Sequence, residues 1–584
     1  MVILIGMINK DMSALRVPRI ELEKKKVKEE KKKTVKTPWI KRVFLLIALS
    51  FVLTNIFLLF ENRQMYMGAI RYLRSIGRKV VIYDTYSIAF DDTVPNSFKD
   101  LMKENLGNIV LGKKPRFLFK DRKADFIISS TRDNEKEVIF SKDLIPVGHI
   151  YSLLTDIDLN TLKQKSVLIL DSDIKEYIKE EYGIEAVLVD SKDSFVEEIA
   201  KEDSNIGLVS FNNLDYRMKI IPLDGKYYLD NSEGSLKINL YSSVNEEDRF
   251  ILSVIQHNMN KSGHVSFDKG KLAKINMSGV VAIARNLAFK MESARDDAYA
   301  AEFVGDFLAD ADLTHVSNEA SFVPGCKPTR SMAFCSNPKY VETLKKSGVD
   351  IVELTGNHNN DYGAKHSAGT IDMYKELGWD YFGGGLDKKD AEKILYKEVN
   401  GSKMAFIGYN YYDAMLNNWG PLAKDNSSGA NAYSEEKLKR DVEEAKKNAD
   451  IVIVTFQFQE CYSYPDGDVI YPICYKPLVV PDQKGTFRKA IDLGADIVVG
   501  TQAHQPQTFE LYNDGVIFYG LGNLYFDQII WIGTRHGLVL THYLYEGKHI
   551  QTKLTPIYQD KDFKVRLATK EQGDLLLKLL KNAR

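Results

Sequence analysis

Residues 349–363 read VDIVELTGNHNNDYG. A short apolar run passes directly into a polar cluster that contains Asn357, His358 and Asp361. The same half of the chain repeats this form in LAKINMSG (272–279), KMAFIGYN (403–410), ADIVIVTFQF (449–458), ADIVVGTQAH (495–504) and GVIFYGLGN (515–523). Short apolar strands of this kind are typical of α/β proteins, which build their sites at the carboxyl ends of the strands. The pattern therefore predicts an α/β domain with a site at one edge of its sheet.

A second series of strands and helices precedes this domain. Residues 79–265 contain the strand patterns KVVIYDTY (79–86), SVLILDS (166–172), EAVLVDS (185–191) and NIGLVSF (205–211), with amphipathic connectors between them. This alternation predicts an α/β domain, at 72–265, with a largely parallel sheet. Polar, turn-rich residues near 242–270 predict the boundary to a second domain at 272–560, which a helical tail at 561–584 follows.

The segments at 140–165 and 205–225 of the first domain resemble the two-lobed solute-binding proteins of transport systems. This resemblance implies a small ligand bound between the lobes. The alternative is a spacer domain that has kept the fold without the ligand.

The first 60 residues predict a membrane anchor. A basic run within the tail 1–42 is followed by VFLLIALSFVLTNIFLLF (43–60), which is uncharged and long enough for one transmembrane helix. The basic flank predicts a cytoplasmic N-terminus and extracellular or periplasmic main domains, anchored in the cell membrane by a single pass. A signal peptide and a buried core helix are the alternatives. The net charge of −1 gives no pull toward nucleic acid, and no nucleic-acid partner is expected.

The four cysteines form two local pairs, Cys326 with Cys335 and Cys461 with Cys474. Neither pair has the spacing of a zinc knuckle or of a redox motif. In an exported domain, both pairs predict structural disulfides.

Five stretches, taken together and in order, carry a family resemblance: ADLTHVSNEASF (311–322), ELTGNHNNDYG (353–363), YFGGGLD (381–387), GADIVVGTQAHQPQTFE (494–510) and IFYGLGNLYFDQ (517–528). They resemble the CapA-type (PgsA-type) capsule-synthesis proteins of poly-gamma-glutamate assembly. The resemblance covers residues 272–560 and implies the αββα sandwich of the calcineurin-type metallophosphoesterases.

The resemblance also implies site residues. They are His358, Asp361 and Glu460 for catalysis, and Glu319, Asn357, Gln502 and His504 for metal binding. His315 and His366 match no ligand position and are interpreted as helix or loop histidines.

Three other positions depart from the family pattern. Val280 stands where the family has a metal-binding aspartate, and Phe456 and Thr501 stand where it has histidines. A two-metal centre needs roughly seven or eight protein donors, and too few remain here. The oxygen-rich remainder predicts at most one divalent ion, with magnesium, manganese or calcium favoured, or none.

The leading hypothesis is a membrane-anchored, metal-assisted hydrolase or transferase. It would act on an anionic cell-surface polymer such as poly-gamma-glutamate, together with capsule-assembly membrane proteins. One alternative is a non-catalytic protein that binds or assembles the polymer. The other is a ligand sensor that works through the first α/β domain. Fold resemblance alone does not choose between them.

Overall fold

The computed structural model describes residues 85–111, 114–132, 136–243, 248–261, 267–458 and 483–583. They lie in one compact unit, Tyr83–Arg584. The predicted tail (1–42), the predicted transmembrane segment (43–60), Glu460 and the Cys461–Cys474 pair lie outside the described residues. Of the helices within the described ranges, none combines the length and the apolar character that a bilayer crossing requires.

The predicted α/β class is confirmed, since helices and strands alternate along the described chain. The strands of the first half are β1 (Tyr86–Phe90), β2 (Val110–Leu111), β3 (Lys114–Pro115), β4 (Phe117–Phe119), β5 (Phe126–Ser129), β6 (Lys136–His149), β7 (Ser166–Ile169), β8 (Ala186–Leu188), β9 (Asn205–Val209), β10 (Met218–Ile220) and β11 (Leu236–Ser243). Its helices are α1 (Asn96–Gly107), α2 (Leu159–Leu162), α3 (Lys175–Tyr182), α4 (Lys192–Lys201), α5 (Tyr228–Asn231) and α6 (Arg249–Lys261).

One long strand, β6, joins the two parts of the first sheet. The strand order is β4-β1-β5-β11-β6-β9-β7-β8, and β10 also pairs with β6. The first part of β6 pairs with β11 and its last residues pair with β9 and β10, in each case antiparallel. The flanking groups β4-β1-β5 and β9-β7-β8 are parallel.

The prediction of a largely parallel sheet is therefore wrong at the centre of the sheet. Strand β6 reads KEVIFSKDLIPVGH, and its internal polar residues and Pro146 interrupt the apolar alternation by which strands are recognised. Its partner β11 lies more than ninety residues further along the chain, and Leu144 pairs with Leu236. A local pattern carries no information on a pairing of that range.

The strands of the second half are β12 (Leu272–Val281), β13 (Leu313–Asn318), β14 (Ile351–Glu353), β15 (Asp380–Phe382), β16 (Gly384–Gly385), β17 (Leu395–Val399), β18 (Ser402–Asn410), β19 (Gly429–Ala430), β20 (Ile451–Gln457), β21 (Ile497–Gly500), β22 (Phe509–Tyr512), β23 (Gly515–Phe518), β24 (Asn523–Tyr525), β25 (His536–Tyr545), β26 (Lys548–Gln559) and β27 (Val565–Leu567). The helices are α7 (Arg285–Ala294), α8 (Gly305–Ala309), α9 (Val341–Lys346), α10 (Ala364–Glu376), α11 (Lys388–Ala391), α12 (Tyr412–Met415), α13 (Glu435–Asn448), α14 (Gln483–Asp492) and α15 (Lys570–Asn582).

Two sheets of the second half pack face to face. One, which we call the β12 sheet, has the order β15-β14-β13-β12-β25-β26-β27, with β24 beside β12. The other, which we call the β20 sheet, has the order β17-β18-β20-β21-β23-β22. A single apolar cluster contains side chains of both, such as Met277 and Ile351 of the first and Phe406 and Ile453 of the second. We name it the inter-sheet core.

Helices cover the outer face of each sheet. Helices α7, α9 and α10 pack with the β12 sheet, and α13 and α14 pack with the β20 sheet. In β20, Ile453 faces the inter-sheet core while Val452 and Val454 face the helices, as the alternation of a strand requires. The layers are therefore helix, sheet, sheet and helix.

The last residues belong to the same body. Strand β27 pairs with β26 and extends the β12 sheet past residue 560, where the sequence predicts the domain to end. Helix α15 lies within the predicted helical tail, and its Leu576 and Leu580 are fully buried in the inter-sheet core.

We predict that stability falls in mild acid because of buried histidines. Burial, aided by the charge of Arg535, lowers the pKa of His536 from 6.5 to about 4. The unfolded imidazole takes up a proton below about pH 6.5, whereas the folded one stays neutral down to about pH 4. The contribution is therefore complete above pH 6.5 and is lost as the pH falls toward 4.

The measurement is the denaturant midpoint at about pH 7.5 and pH 5. His536→Phe should show a smaller loss between these two values than the parent protein. His257→Phe, at an exposed position of α6, serves as the control and should lose as much as the parent. An equal loss in His536→Phe and the parent would contradict the assignment.

Candidate functional site

The predicted site begins where β12, β13 and β14 end side by side. These strands are parallel, so their carboxyl ends meet at one edge. Glu319 follows β13 directly, and its backbone N–H donates to the Val281 carbonyl at 3.0 Å. At Gly356, an added Cβ would lie 2.5 Å from the Cβ of Glu319. Glycine therefore allows the loop that carries Asn357 to lie against Glu319.

Two buried oxygens at this edge lack hydrogen-bond partners among the residues that the structure describes. Glu319 is 2 % exposed, and neither its Oε1 nor the Oδ1 of Asn357 contacts a donor among the described residues. Buried polar atoms are normally satisfied, so an orphaned pair on adjacent strand ends indicates a position for a ligand. Carboxylate and amide oxygens are the donors that magnesium, calcium and manganese prefer. This part of the predicted donor set fits such a cation.

His358 and Asp361 form a hydrogen-bonded pair beside these oxygens. His358 Nδ1 and Asp361 Oδ2 are 2.6 Å apart. Burial acts to lower the pKa of His358, but the hydrogen bond to Asp361 and the charge of Glu319 outweigh it, and the pKa is raised. The arrangement therefore favours a protonated imidazole, which can donate a proton or hold an anion.

The predicted Cys326–Cys335 disulfide is confirmed, and it braces the histidine pair. Phe334 precedes Cys335, and its backbone N–H donates to Asp361 Oδ2 at 2.7 Å. Its ring also stacks on His358, with a centroid distance of 4.0 Å. The disulfide thus holds in place the residue that positions both members of the pair.

Arg285 is a member of the site that the sequence analysis missed. It begins α7, directly behind β12, and donates from Nε to Asp527 at 2.8 Å. Its guanidinium lies 4.7 Å from the ring centroid of Phe334 and 5.0 Å from that of Phe526. Its charge also acts to lower the pKa of His358, which places it close to the imidazole. An arginine just past a buried strand, in GVVAIAR, was the available signal.

His504 is connected to the same site through aromatic rings. It stacks on Phe526 at 5.0 Å, and Phe526 packs edge-on against Phe334 at 5.7 Å. His504 Nδ1 contacts Asn523 Oδ1 at 2.9 Å, which orients the imidazole. A chain of ring contacts through Phe526 and Phe334 therefore connects His504 with His358.

Gln502 is held by a neighbouring amide. Its Oε1, the atom predicted to bind a metal, accepts a hydrogen bond from Gln457 Nε2 at 2.9 Å. The Oε1 of Gln457 is itself buried without a partner among the described residues. Gln457 therefore brings a further oxygen to this edge, and sequence comparison overlooked it.

Two of the three divergent positions, Val280 and Phe456, are occupied by side chains that pack in the protein interior. Val280 is buried between Ser317 and Asn523 on the neighbouring strands. Phe456 packs on the helix side of its sheet, with its ring 4.9 Å from Phe487. Within the described ranges, no group of three or more His, Cys, Asp or Glu side chains could hold a metal ion.

Beneath the site lies a buried polar cluster. The interpretation of His315 as a helix or loop histidine is wrong: it lies in β13, fully buried, with Nε2 3.2 Å from Glu353 Oε2. The Thr501 hydroxyl donates to Glu353 Oε1 at 2.8 Å, and the Thr355 hydroxyl donates to the same oxygen. His315 was interpreted in this way because it matches no ligand position of the family, but its carboxylate partner allows a histidine to be buried in the strand.

Comparison with known proteins places this geometry in a family context. Residues 274–528 match the family model described as "Bacterial capsule synthesis protein PGA_cap". The chain is 32 % identical over 222 residues to "Capsule biosynthesis protein CapA" of Bacillus anthracis, covering 37 % of this chain and 50 % of that protein. It is 31 % identical over 223 residues to "PGA biosynthesis protein CapA" of Bacillus subtilis (strain 168), covering 38 % of this chain and 54 % of that protein. The chain thus spans about half the length of these curated relatives.

Solved structures similar to the chain include solute-binding proteins. An ABC-type phosphate transport receptor from Vibrio cholerae is 10 % identical, with 31 % of this chain and 99 % of that chain covered and a TM-score of 0.23. An amino acid ABC transporter substrate-binding protein from Streptococcus pneumoniae is 11 % identical, with 31 % and 91 % covered and a TM-score of 0.18.

We predict that removing the disulfide destabilises the protein. Cys326 and Cys335 are nine residues apart, and by loop-closure entropy their bond contributes about 3 kcal/mol to the free energy of unfolding. The Cys326→Ser/Cys335→Ser double variant should lose about this amount in denaturant titrations, and Lys327→Ala, at an exposed position of the same loop, should lose little. Equal stability of the double variant and the parent would contradict the prediction.

We also predict that Asp361→Asn lowers the pKa of His358. The substitution removes the acceptor and the negative charge that favour the protonated ring. An NMR titration of the His358 ring measures the change. Asp372→Asn, at an exposed position of α10, is the matched control and should leave the His358 titration as it is. A His358 pKa unchanged in Asp361→Asn would show that Asp361 does not govern it.

Proposed function

We propose that the chain builds or processes an anionic cell-surface polymer, because residues 274–528 match the bacterial capsule synthesis protein family model PGA_cap, as the five sequence motifs predicted. Poly-gamma-glutamate is the first candidate, since the relatives are named for capsule and PGA biosynthesis. Because the chain spans only half of each relative, the argument for an activity rests on the geometry of the strand ends.

The observation that carries the proposal is the orphaned pair Glu319 Oε1 and Asn357 Oδ1 beside the His358–Asp361 pair. Two acceptors and no donor suit one divalent cation, for which we propose magnesium, manganese or calcium. His504 and Gln502 complete the proposed ligand set. A cation bound there would supply Lewis acidity toward a carbonyl oxygen of the polymer.

The proposed chemistry is attack of water on an amide or ester of the polymer. His358 donates its proton to the leaving group, and Asp361 and the ring of Phe334 hold the imidazole in place for this transfer. Glu460 accepts the proton of the attacking water in this proposal. After the reaction, Glu460 releases its proton to solvent and the neutral imidazole of His358 takes up a proton from solvent.

Substrate binding is proposed to use Arg285 and the exposed rim. The guanidinium donors that Asp527 leaves unused would pair with a polymer carboxylate. Trp419 is 51 % exposed and Met332 is 70 % exposed, and the chain at Gly420 is tied to the His358 loop through Asn360 Nδ2 at 3.1 Å. These apolar surfaces would cover the methylene groups that separate the charges of such a polymer.

The second candidate is a non-catalytic protein that binds or assembles the polymer. Val280, Phe456 and Thr501 favour it, since each replaces a donor of the family with a side chain committed to packing or to Glu353. In this case Glu319 and Asn357 would accept hydrogen bonds from the amide groups of the polymer. The two candidates share a binding site and differ in whether bonds are broken there.

We propose a cell-membrane location, with a single pass through residues 43–60, a cytoplasmic N-terminus and extracellular or periplasmic main domains. The Cys326–Cys335 disulfide supports this placement, because disulfides persist in oxidising compartments. Capsule-assembly membrane proteins are the proposed partners. A solute-binding-like role of the first domain, with a small ligand between its lobes, is proposed as well, and it would make that domain a ligand sensor.

We predict that the purified protein binds one manganese ion and hydrolyses poly-gamma-glutamate. Manganese titration followed by electron paramagnetic resonance should show one site, which Glu319→Gln weakens and Glu376→Gln, an exposed control on α10, leaves intact. His358→Asn should lower the hydrolysis rate by about 10²- to 10⁴-fold, the usual contribution of a general acid.

The outcomes separate the two candidates. Two tightly bound ions that survive dialysis would contradict the single-cation proposal. Polymer binding that Arg285→Gln abolishes, with no hydrolysis by the parent protein, would establish the non-catalytic candidate in place of the hydrolase.

A further inference from the structure

A cavity of about 360 Å³ lies where the sheet of the first half meets β26 and α15. It is separate from the strand-end site. Its wall combines residues 150–153 and 155, which follow β6, with residues of β10, of β26 and of the face of α15 that carries Gly573 and Leu577. None of the residues proposed above for catalysis, metal binding or polymer binding lines it. Its volume lies in the range of small-molecule pockets.

Two lysines in the wall have no carboxylate within ion-pair distance in the part of the chain that the structure describes. Lys219 Nζ donates to the backbone carbonyl of Ser152 at 2.8 Å, and Lys553 Nζ lies 4.4 Å from the ring centroid of Tyr227. Neither ammonium forms an ion pair with a carboxylate of the described residues. The other lysines of the wall are neutralised, Lys570 by Asp574 at 2.5 Å and Lys581 by Asp203 at 2.7 Å.

These two cations are also poorly solvated. Burial lowers the pKa of Lys219 to about 8, and burial lowers that of Lys553 as well. Asp203 and Asp574 act to raise the pKa of Lys219, and Asp230 acts to raise that of Lys553, but burial outweighs them. An anion that enters the cavity would therefore stabilise both ammonium groups. The electrostatics therefore select an anionic occupant, and the presence of two separate ammonium groups selects one with two charges.

The remainder of the wall is suited to hydrocarbon. Ile150, Ile220, Pro222, Leu554 and Leu577 supply aliphatic surface. On α15, Gly573 presents no side chain, and an added Cβ there would lie 3.6 Å from the nearest atom of Pro556. The glycine keeps the helix side of the cavity open. An occupant with a short carbon chain would desolvate against this wall, whereas an inorganic anion would not.

We propose that this cavity is a binding site for a small organic dianion, a short aliphatic dicarboxylate with one carboxylate at Lys219 and the other at Lys553. The donors of Lys219 that Ser152 leaves unused would bind the first carboxylate, and Lys553 would bind the second while remaining over Tyr227. This inference does not depend on the polymer chemistry proposed for the strand-end site.

The test uses the full chain and glutarate as the probe, with glutaramide as its uncharged analogue and inorganic phosphate as a dianion without a carbon chain. Isothermal titration calorimetry and the thermal unfolding midpoint report binding. Glutarate should bind and raise the midpoint, and glutaramide should do neither. Lys219→Met and Lys553→Met should each weaken glutarate by about 10- to 100-fold, as expected for loss of a charged hydrogen bond.

Two controls keep the result interpretable. Lys578→Met, at an exposed position of α15 outside the cavity wall, should bind glutarate like the parent. Lys219→Arg retains the charge and should retain more affinity than Lys219→Met, so that a general packing defect is distinguished from loss of the cation. If Lys219→Met does not fold, Lys553→Met carries the comparison.

Three results would overturn the proposal. The first is no binding of glutarate by the parent protein. The second is unchanged glutarate affinity in both methionine variants. The third is phosphate or glutaramide binding as tightly as glutarate, because the cavity would then not require both the carbon chain and the two charges.

Discussion

The face-to-face packing of the two sheets of the second half is the constraint on which the candidate site depends. Through the inter-sheet core, it brings the carboxyl ends of β12–β14 and of β20 and β21 to one edge of the molecule. Hydrogen bonds then connect the two sheets at that edge. Thr501, after the β20 sheet's strand β21, donates to Glu353 of the β12 sheet, and the Asn410 amide donates to the Thr355 carbonyl at 3.0 Å. A shift of one sheet against the other would separate His504 from His358 while leaving every strand intact.

Within that frame, the His358–Asp361 pair is positioned from the surface side. The disulfide fixes Phe334, and Phe334 contacts His358 with its ring and Asp361 with its backbone. Arg285 is paired with Asp527 and lies over Phe334, so its guanidinium and the imidazole of His358 both contact the Phe334 ring, beside the acceptor oxygens of Glu319 and Asn357.

The limits of the sequence analysis lie in particular residues. Asn357, His358 and Asp361 were found because a buried strand leads directly into them, and the strand does end at Glu353. Phe456 was assigned to a ligand position by matching the family pattern, yet its side chain faces the helices, and Gln457 reaches the site instead. Arg285 was missed because a single arginine after a strand has no distinctive spacing. The cavity lysines Lys219 and Lys553 are more than three hundred residues apart, and no local pattern connects them.

By itself, the sequence determined the α/β class, the Cys326–Cys335 disulfide and the similarity of residues 274–528 to the PGA_cap family model. These follow from local periodicity, local cysteine spacing and motifs in order, all of which are properties of neighbouring residues. The tertiary structure alone decided the antiparallel centre of the first sheet, the buried partnership of His315 with Glu353, and the meeting of Arg285, Phe334 and His358. Those depend on which distant strands pair and on which face each side chain lies, and these choices are settled by the packing of whole sheets and not by any short segment.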